Sequence, residues 1–291
     1  MDRNFVAVKR LSIVDRSTFN REANVLQNLR KKRHAHEHLV TLLATYAQGD
    51  YLHLILPWAE IDLDQYWRSR DPSPSSNDVE LSTWVKRQCC GIAEAVSHIH
   101  RYNTLSGTSM VCDMTLPVPE VKAAQSQSHR SLDQRQPKPL FGRHGDIKPA
   151  NILWFPNPNL AKGYGTLKLS DFGTTHFSVN EKISKKDRYG IPNSRPYQSP
   201  ECQLPGGELS SQCDVWALGC VFLEFVCWYF GGYKLLEEFH IERALGYESS
   251  SFFSIRREEI SQSYSAELKE SVIKVSPSLP DIVGQWLSTV W

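Results

Sequence analysis

Apolar and polar positions alternate from Phe5 to Lys9, and the β-branched run there predicts a strand, with Leu11 to Val14 as its continuation or its exit. The period then changes. From Ser17 to Arg30, Phe19, Val25, Leu26 and Leu29 recur at helical spacing, Ser17 or Thr18 stands where a cap would start the helix, and Lys31 to Arg33 suit its C-terminal pole. Two further apolar runs, Leu39 to Ala47 and Tyr51 to Leu56, flank Gln48-Gly49-Asp50, which is hairpin chemistry. The order is thus strand, helix, strand, strand. Pro57-Trp58-Ala59 ends it, and Asp62 to Arg70 reads as a short helix.

After the Pro/Ser loop Asp71 to Asp78, Leu81 to His100 is a strongly periodic helix. From about Tyr102 to Pro139 the chain is rich in Ser, Gln, Pro and Thr and reads as a disordered insertion. Strand and turn signals return from Leu140 to Gly173, including the turn NPNLAKGYG between Phe155 and Thr166. Helical character resumes at Cys213 and again around Lys234 to Leu245. No internal repeat is visible. Val215 to Tyr233 is apolar enough to pass for a membrane span, but Glu224 lies at its centre and two glycines close it. The buried axis of a large domain has the same appearance, and that reading is preferred.

Composition narrows the class. At 291 residues, 41% hydrophobic and 22% charged, there is material for one large domain or two lobes sharing an interface. Lys+Arg of 33 against Asp+Glu of 32 leaves a net charge of +1, so no global field draws nucleic acid or anionic lipid, and recognition rests on local sites. The seven cysteines are odd in number and show no paired CxxC spacing. This argues against a disulfide framework or a structural zinc site and for reduced thiols. The sequence MDRNFVAVKR lacks the apolar core of a signal peptide, so an intracellular location, cytoplasmic or nuclear, is expected.

The densest polar pattern is HGDIKPANIL, His144 to Leu153, followed by SDFG, Ser170 to Gly173. Asp146, Lys148, Asn151 and Asp171 are the residue types that hold a hydroxyl, a phosphate and a hard divalent cation in line while negative charge shifts. Each taken singly could merely cap a turn. In this order and spacing they resemble the protein kinase superfamily, its catalytic loop at 146, 148 and 151 and its metal-binding motif at Asp171-Phe172-Gly173. The resemblance implies Asp146 as base toward the substrate hydroxyl and Lys148 as a contact to the γ-phosphate, a lysine more similar to serine/threonine than to tyrosine kinases. It implies Asn151 and Asp171 as ligands of Mg²⁺, with His144 and Phe172 in supporting positions of the same motifs.

Upstream, VAVK sets Lys9 where the family keeps its α- and β-phosphate lysine, with Glu22 as its helix partner and Leu26 one turn later. LILPWA, Leu54 to Ala59, resembles the last small-lobe strand entering the interlobe hinge. Leu56 would be gatekeeper, the Pro57 carbonyl and Ala59 amide would meet the adenine edge, and Ala7 and Leu153 would sandwich the base. Downstream, Ser199-Pro200-Glu201 is similar to the Ala-Pro-Glu triplet, and Ser194 falls where serine/threonine kinases keep a threonine. Thr174 to Gln198 would then be the activation and substrate-docking segment. Asp214 resembles the aspartate that opens the central helix of the large lobe and pins the catalytic loop.

The fold implied is α+β and bilobal, with an incomplete small lobe over residues 1–57 and a mainly helical large lobe over 58–291, interrupted at about 102–139. ATP and Mg²⁺ are the implied cofactors and a protein serine or threonine the implied acceptor, with no nucleic acid and no membrane span. Oligomeric state is left open. Three departures from the family pattern qualify this. No glycine precedes Gly49, so the glycine-rich phosphate lid is absent from the sequence and a truncated small lobe is expected. Gly145 replaces the arginine of the His-Arg-Asp triplet, so activity is expected not to depend on a phosphate read at that position. After Leu279-Pro280-Asp281 only one helix, Ile282 to Val290, has room, which leaves Glu201 expected as a partly buried carboxylate without its usual arginine. The alternative is a pseudokinase or interaction module that turns over no nucleotide.

Overall fold

The structure is a computed structural model that describes residues 5–30, 35–72, 79–101, 141–157, 164–178, 183–184, 194–246, 249–257 and 263–278. The insertion expected at 102–139, Lys31 to Arg33, most of the loops 71–78 and 157–165, much of 174–198 and the helix Ile282 to Val290 lie outside the described residues.

The alternating run at the start becomes β1 (Val6–Ser12). A 3₁₀ turn, Ile13–Asp15, follows, capped by Ser12, whose hydroxyl accepts from the Val14 amide at 3.4 Å. The turn feeds directly into α1 (Arg16–Leu29), so Ser17 and Thr18 lie inside its first turn and do not cap it. Asp15 holds the cap position without a side-chain bond. The buried face of α1 is Phe19, Glu22, Ala23, Val25, Leu26 and Leu29, an apolar stripe interrupted by one carboxylate. β2 (Ala44–Gln48) and β3 (Tyr51–Pro57) form the hairpin, with Gly49 at φ +55°, a conformation glycine adopts without steric cost. The antiparallel sheet has the order β1-β3-β2, with Ala7 opposite Leu56 and Lys9 opposite Leu54.

β4 (Ile61–Asp62) leads into α2 (Leu63–Ser69), where Asp62 accepts from the Gln65 amide at 2.9 Å. α3 (Val79–His100) follows. Then come β5 (Phe141–Arg143), β6 (Ile152–Phe155), β7 (Thr166–Leu169) and β8 (His176–Ser178), arranged as a β4-β6-β7 sheet and a β5-β8 pair. The strand expected from Leu39 starts regular pairing only at Ala44, because Leu39 bridges to Leu169. The Val40 amide donates to the Leu169 carbonyl at 2.9 Å, and the Leu169 amide to the His38 carbonyl at 2.8 Å. This bridge ties the first sheet's lead-in to the strand that delivers Asp171.

β9 (Ile183–Ser184) pairs with β10 (Glu208–Leu209), after which α4 (Gln212–Ala244) runs through the core. The two helical stretches read from sequence are one 33-residue run broken at Gly232, whose φ of 65° and ψ of −168° only glycine holds without strain. Among the described residues α4 alone is long and apolar enough to cross a membrane, yet it is packed within the protein. Its Phe225 and Trp228 meet Tyr66 and Trp67 of α2, and Trp228 Nε1 donates to the Arg70 carbonyl at 2.8 Å. The sequence reading did not anticipate β11 (Phe253–Arg257) and β12 (Tyr264–Leu268), a hairpin before α5 (Glu270–Ser278). Lys269 anchors that hairpin to the end of α4 by donating to the Arg243 carbonyl at 2.8 Å.

Candidate active site

The loop between β5 and β6 is held from below by one buried carboxylate. Asp214, in the first turn of α4, accepts from the His144 amide at 2.7 Å and the Gly145 amide at 2.8 Å, and pairs with His100 Nε2 at 2.9 Å. Burial alone would raise the Asp214 pKa, but His100, His144 and the Gly145 amide hold it below the ordinary carboxylate value. Gly145 has φ +87°, and a Cβ there would sit 3.2 Å from the Thr174 carbonyl oxygen.

On this support the loop brings three polar side chains together. Asn151 closes a 3₁₀ turn, Pro149–Asn151, and donates its amide to the Asp146 carbonyl at 2.7 Å and to Asp146 Oδ2 at 3.0 Å. Lys148 Nζ donates to the same Oδ2 at 2.8 Å and to Ser194 Oγ at 2.7 Å. Asp146 Oδ1, by contrast, is buried with no hydrogen-bond partner.

The second acidic loop is fastened to the first. The Ser170 amide and hydroxyl both donate to the Asn151 carbonyl at 2.9 Å. His144 accepts the Asp146 amide at Nδ1 and donates from Nε2 to the Ser170 carbonyl at 3.0 Å, which fixes one neutral tautomer. Burial lowers the His144 pKa in agreement with that assignment. Phe172, fully buried, meets the His144 ring edge-on at 5.3 Å. Asp171, at φ 61° and ψ 75°, is the one non-glycine with positive φ among the described residues. Strain of this sort, costing on the order of 1–3 kcal/mol, is characteristic of functional loops.

From the first sheet, Lys9 Nζ donates to both carboxylate oxygens of Glu22, at 2.9 and 2.8 Å, and to Asp171 Oδ1 at 2.8 Å. Glu22 is 1% exposed, Lys9 37% and Asp171 43%, so the triad opens toward solvent on its aspartate side. Burial works against the Lys9 charge, but its two carboxylates overcome it and raise its pKa. Burial also opposes ionisation of Asp171, and the Lys9 ammonium overcomes it and lowers that pKa. For Glu22 burial prevails over Lys9 and the carboxyl is pushed up. With both oxygens on the ammonium, the pair is held as ions.

The residues expected around an adenine lie on two sheets. Ala7 and Leu56 face each other across β1 and β3, and β3 ends at Pro57. The chain then passes Ala59, the Glu60 amide donates to the Trp154 carbonyl at 3.2 Å, and Asp62 pairs with Leu153 on β6. Ala7, Leu56, Pro57, Ala59 and Leu153 are all half-buried.

Glu201 corrects the sequence reading. It is exposed on the Pro200–Cys202 turn, so water satisfies it and no arginine is required. The buried acid is Glu224 of α4, 0% exposed, which takes Arg243 Nη1 and His240 Nε2 at 3.0 Å and the Tyr197 hydroxyl at 2.8 Å. An acid centred in an apolar run was the visible signal for it; Tyr197 and Arg243 carried none.

These groups suit a metal-bound phosphate and an alcohol. The Asp171 carboxylate and Asn151 side-chain carbonyl are the oxygen donors a hard cation prefers. Among the described residues no three His, Cys, Asp or Glu side chains form a cage. The buried, unpartnered Asp146 Oδ1 is placed to accept a proton-bearing group.

Parts of the chain are similar to known proteins. The family model described as the protein kinase domain matches residues 142–277. A probable serine/threonine-protein kinase KIN28 homolog of Encephalitozoon cuniculi is 24% identical over 220 residues, 75% of this chain and 53% of its own. The MAPK/MAK/MRK overlapping kinase of Mus musculus is 36% identical over 95 residues, 33% of this chain and 19% of its own. The glycogen synthase kinase-3 homolog YGK3 of Saccharomyces cerevisiae is 34% identical over 83 residues, 28% of this chain and 20% of its own. The chain thus spans between about a fifth and about half of the length of these relatives.

Proposed function

The chain belongs to the eukaryotic protein kinase superfamily, and from that premise we propose that it transfers the γ-phosphoryl group of ATP to a serine or threonine hydroxyl of a protein, with Mg²⁺ as the cation. The observation that carries this reading is a pair of triads, Lys9–Glu22–Asp171 and Asp146–Lys148–Asn151, each held by contacts of 2.7 to 3.0 Å and tied to each other where Ser170, the neighbour of Asp171, donates twice to the Asn151 carbonyl.

Glu22 holds Lys9 in place to receive the α- and β-phosphates. Asn151 and Lys148 fix the Asp146 carboxylate by its Oδ2, leaving Oδ1 to orient the acceptor hydroxyl and take its proton. Lys148 also reaches Ser194 of the docking segment, so the base and the acceptor platform share one cation. The metal, held by Asn151 and Asp171, would neutralise phosphate charge. Ala7, Leu56 and Leu153 bound the adenine slot, with the Pro57 carbonyl and Ala59 amide at its edge. The lobes are assigned as 1–57 and 58–291, and the location as intracellular.

The test is label transfer from γ-labelled ATP and Mg²⁺ to a Ser/Thr peptide library, with Asp146→Asn as the comparison. Label on serine or threonine that falls by about 100-fold or more in the variant is expected. Equal label in both, or label confined to tyrosine, overturns the assignment.

A further inference from the structure

Two thiols that phosphoryl transfer leaves unused face each other beside the loop of Asp146. Cys202 ends the Pro200–Cys202 turn and Cys213 lies in the first turn of α4. Both are free thiols, and with Arg143, Asp146 and Asp214 they line a cleft of about 20 Å³. The two thiols interact electrostatically across this cleft, and Ser199 Oγ lies 3.6 Å from Cys202 Sγ.

We propose that Cys202 and Cys213 are an oxidation site: a peroxide closes them to a disulfide, a thiol reductant reopens it, and the closed form fastens the end of the docking segment to the helix that carries Asp214.

The surroundings favour one thiolate and one thiol. The interaction with Cys202, helped by Ser199, the Ser210 backbone and the nearby Arg143 guanidinium, outweighs burial and brings Cys213 to a pKa of about 6. The same interaction, with burial, pushes Cys202 up. Cys89, Cys220 and Cys227 are raised by burial, which leaves them inert. Cys213 is only 7% exposed, but the cleft has room for a molecule of about the size of water, and hydrogen peroxide is only a little larger.

The chemistry balances. The Cys213 thiolate attacks one oxygen of hydrogen peroxide, the O–O bond breaks, and the departing hydroxide takes a proton to become water, leaving a sulfenic acid. The Cys202 sulfur gives up its proton and attacks Cys213, the S–O bond breaks and a second water leaves. Two thiols lose two electrons and peroxide gains them. Closure to about 2.05 Å requires the two side chains to rotate toward each other across the cleft they share.

The experiment treats the full chain with graded hydrogen peroxide, blocks remaining thiols with N-ethylmaleimide under denaturing conditions and maps the unreduced digest by mass spectrometry. Cleavage after Glu201 and Glu208 separates the two cysteines. The expected product is the two peptides joined with loss of two hydrogens and released by dithiothreitol. In Cys202→Ser, Cys213 should instead be trapped by dimedone as the sulfenic acid. Equal alkylation of Cys202 and Cys213 with and without peroxide, or bridging of either to another cysteine, overturns the proposal. This readout does not involve nucleotide, so it stands apart from the phosphoryl-transfer test.

Discussion

Tyr197 donates its hydroxyl to Glu224 Oε2 at 2.8 Å, joining the Arg195–Tyr197 turn to a fully buried carboxylate on the central helix. The other oxygen takes Arg243 and His240 from beyond the Gly232 break, so one acid locks both halves of α4 to that turn. Replacing Glu224 by Ala strands a buried guanidinium and is expected to cost about 3–5 kcal/mol of unfolding free energy. Glu224→Leu combined with Arg243→Leu should recover much of that loss. A double-mutant cycle in urea checks it, and strictly additive losses would count against the lock.

Asp214 is a support for the loop, and its removal has a local signature. Asp214→Ala leaves the His144 and Gly145 amides buried without their acceptor and is expected to cost about 2–4 kcal/mol, while Asp214→Asn keeps one acceptor oxygen and costs less. Hydrogen exchange should show the amides of His144 and Gly145 losing protection first. Uniform loss across the chain would mean that the pin is not local.

The Lys9 triad has unequal members. Lys9→Met leaves Glu22 buried beside no cation and is expected to cost about 1–2 kcal/mol, tempered by the partial exposure of Lys9. Glu22→Gln should cost less, because Lys9 keeps Asp171. Thermal unfolding of the two variants ranks them, and the reverse order would sink this reading of the triad.

Much of this arrangement is legible along the chain because short-range patterns encode it. The 2-to-3.6 change of period marks β1 and α1, Asp62 caps α2 where a cap belongs, and the residues of both acidic loops lie close enough in sequence for their spacing to survive as motifs. What spacing cannot convey is long-range pairing. Leu39 looks like strand and is a bridge to Leu169, because a backbone 130 residues away competes for its hydrogen bonds. Glu201, expected partly buried, is exposed for the same reason: the surroundings of an acid are decided by segments that its neighbours in sequence do not reveal. The β11–β12 hairpin shows only a brief alternation at Phe253 to Ile255, too short to announce itself.

Acid should weaken the fold in a defined window. Burial lowers the pKa values of His36, His38 and His144 below the imidazole value of 6.5, so between 6.5 and those lower values the unfolded chain binds more protons than the folded one. Their contribution is complete above pH 6.5 and is lost as pH falls through the folded-state values. The melting temperature is therefore expected to drop from pH 7.5 to pH 5.5. A flat or rising profile would contradict the neutral assignment of His144.

The most direct measurement is the melting temperature of the wild type and of Asp171→Asn with ATP alone and with ATP plus Mg²⁺. A shift in the wild type that requires both ligands and disappears in the variant is the predicted result. Identical responses in the two proteins, or no dependence on Mg²⁺, would contradict a shared nucleotide and metal site at Lys9, Asn151 and Asp171.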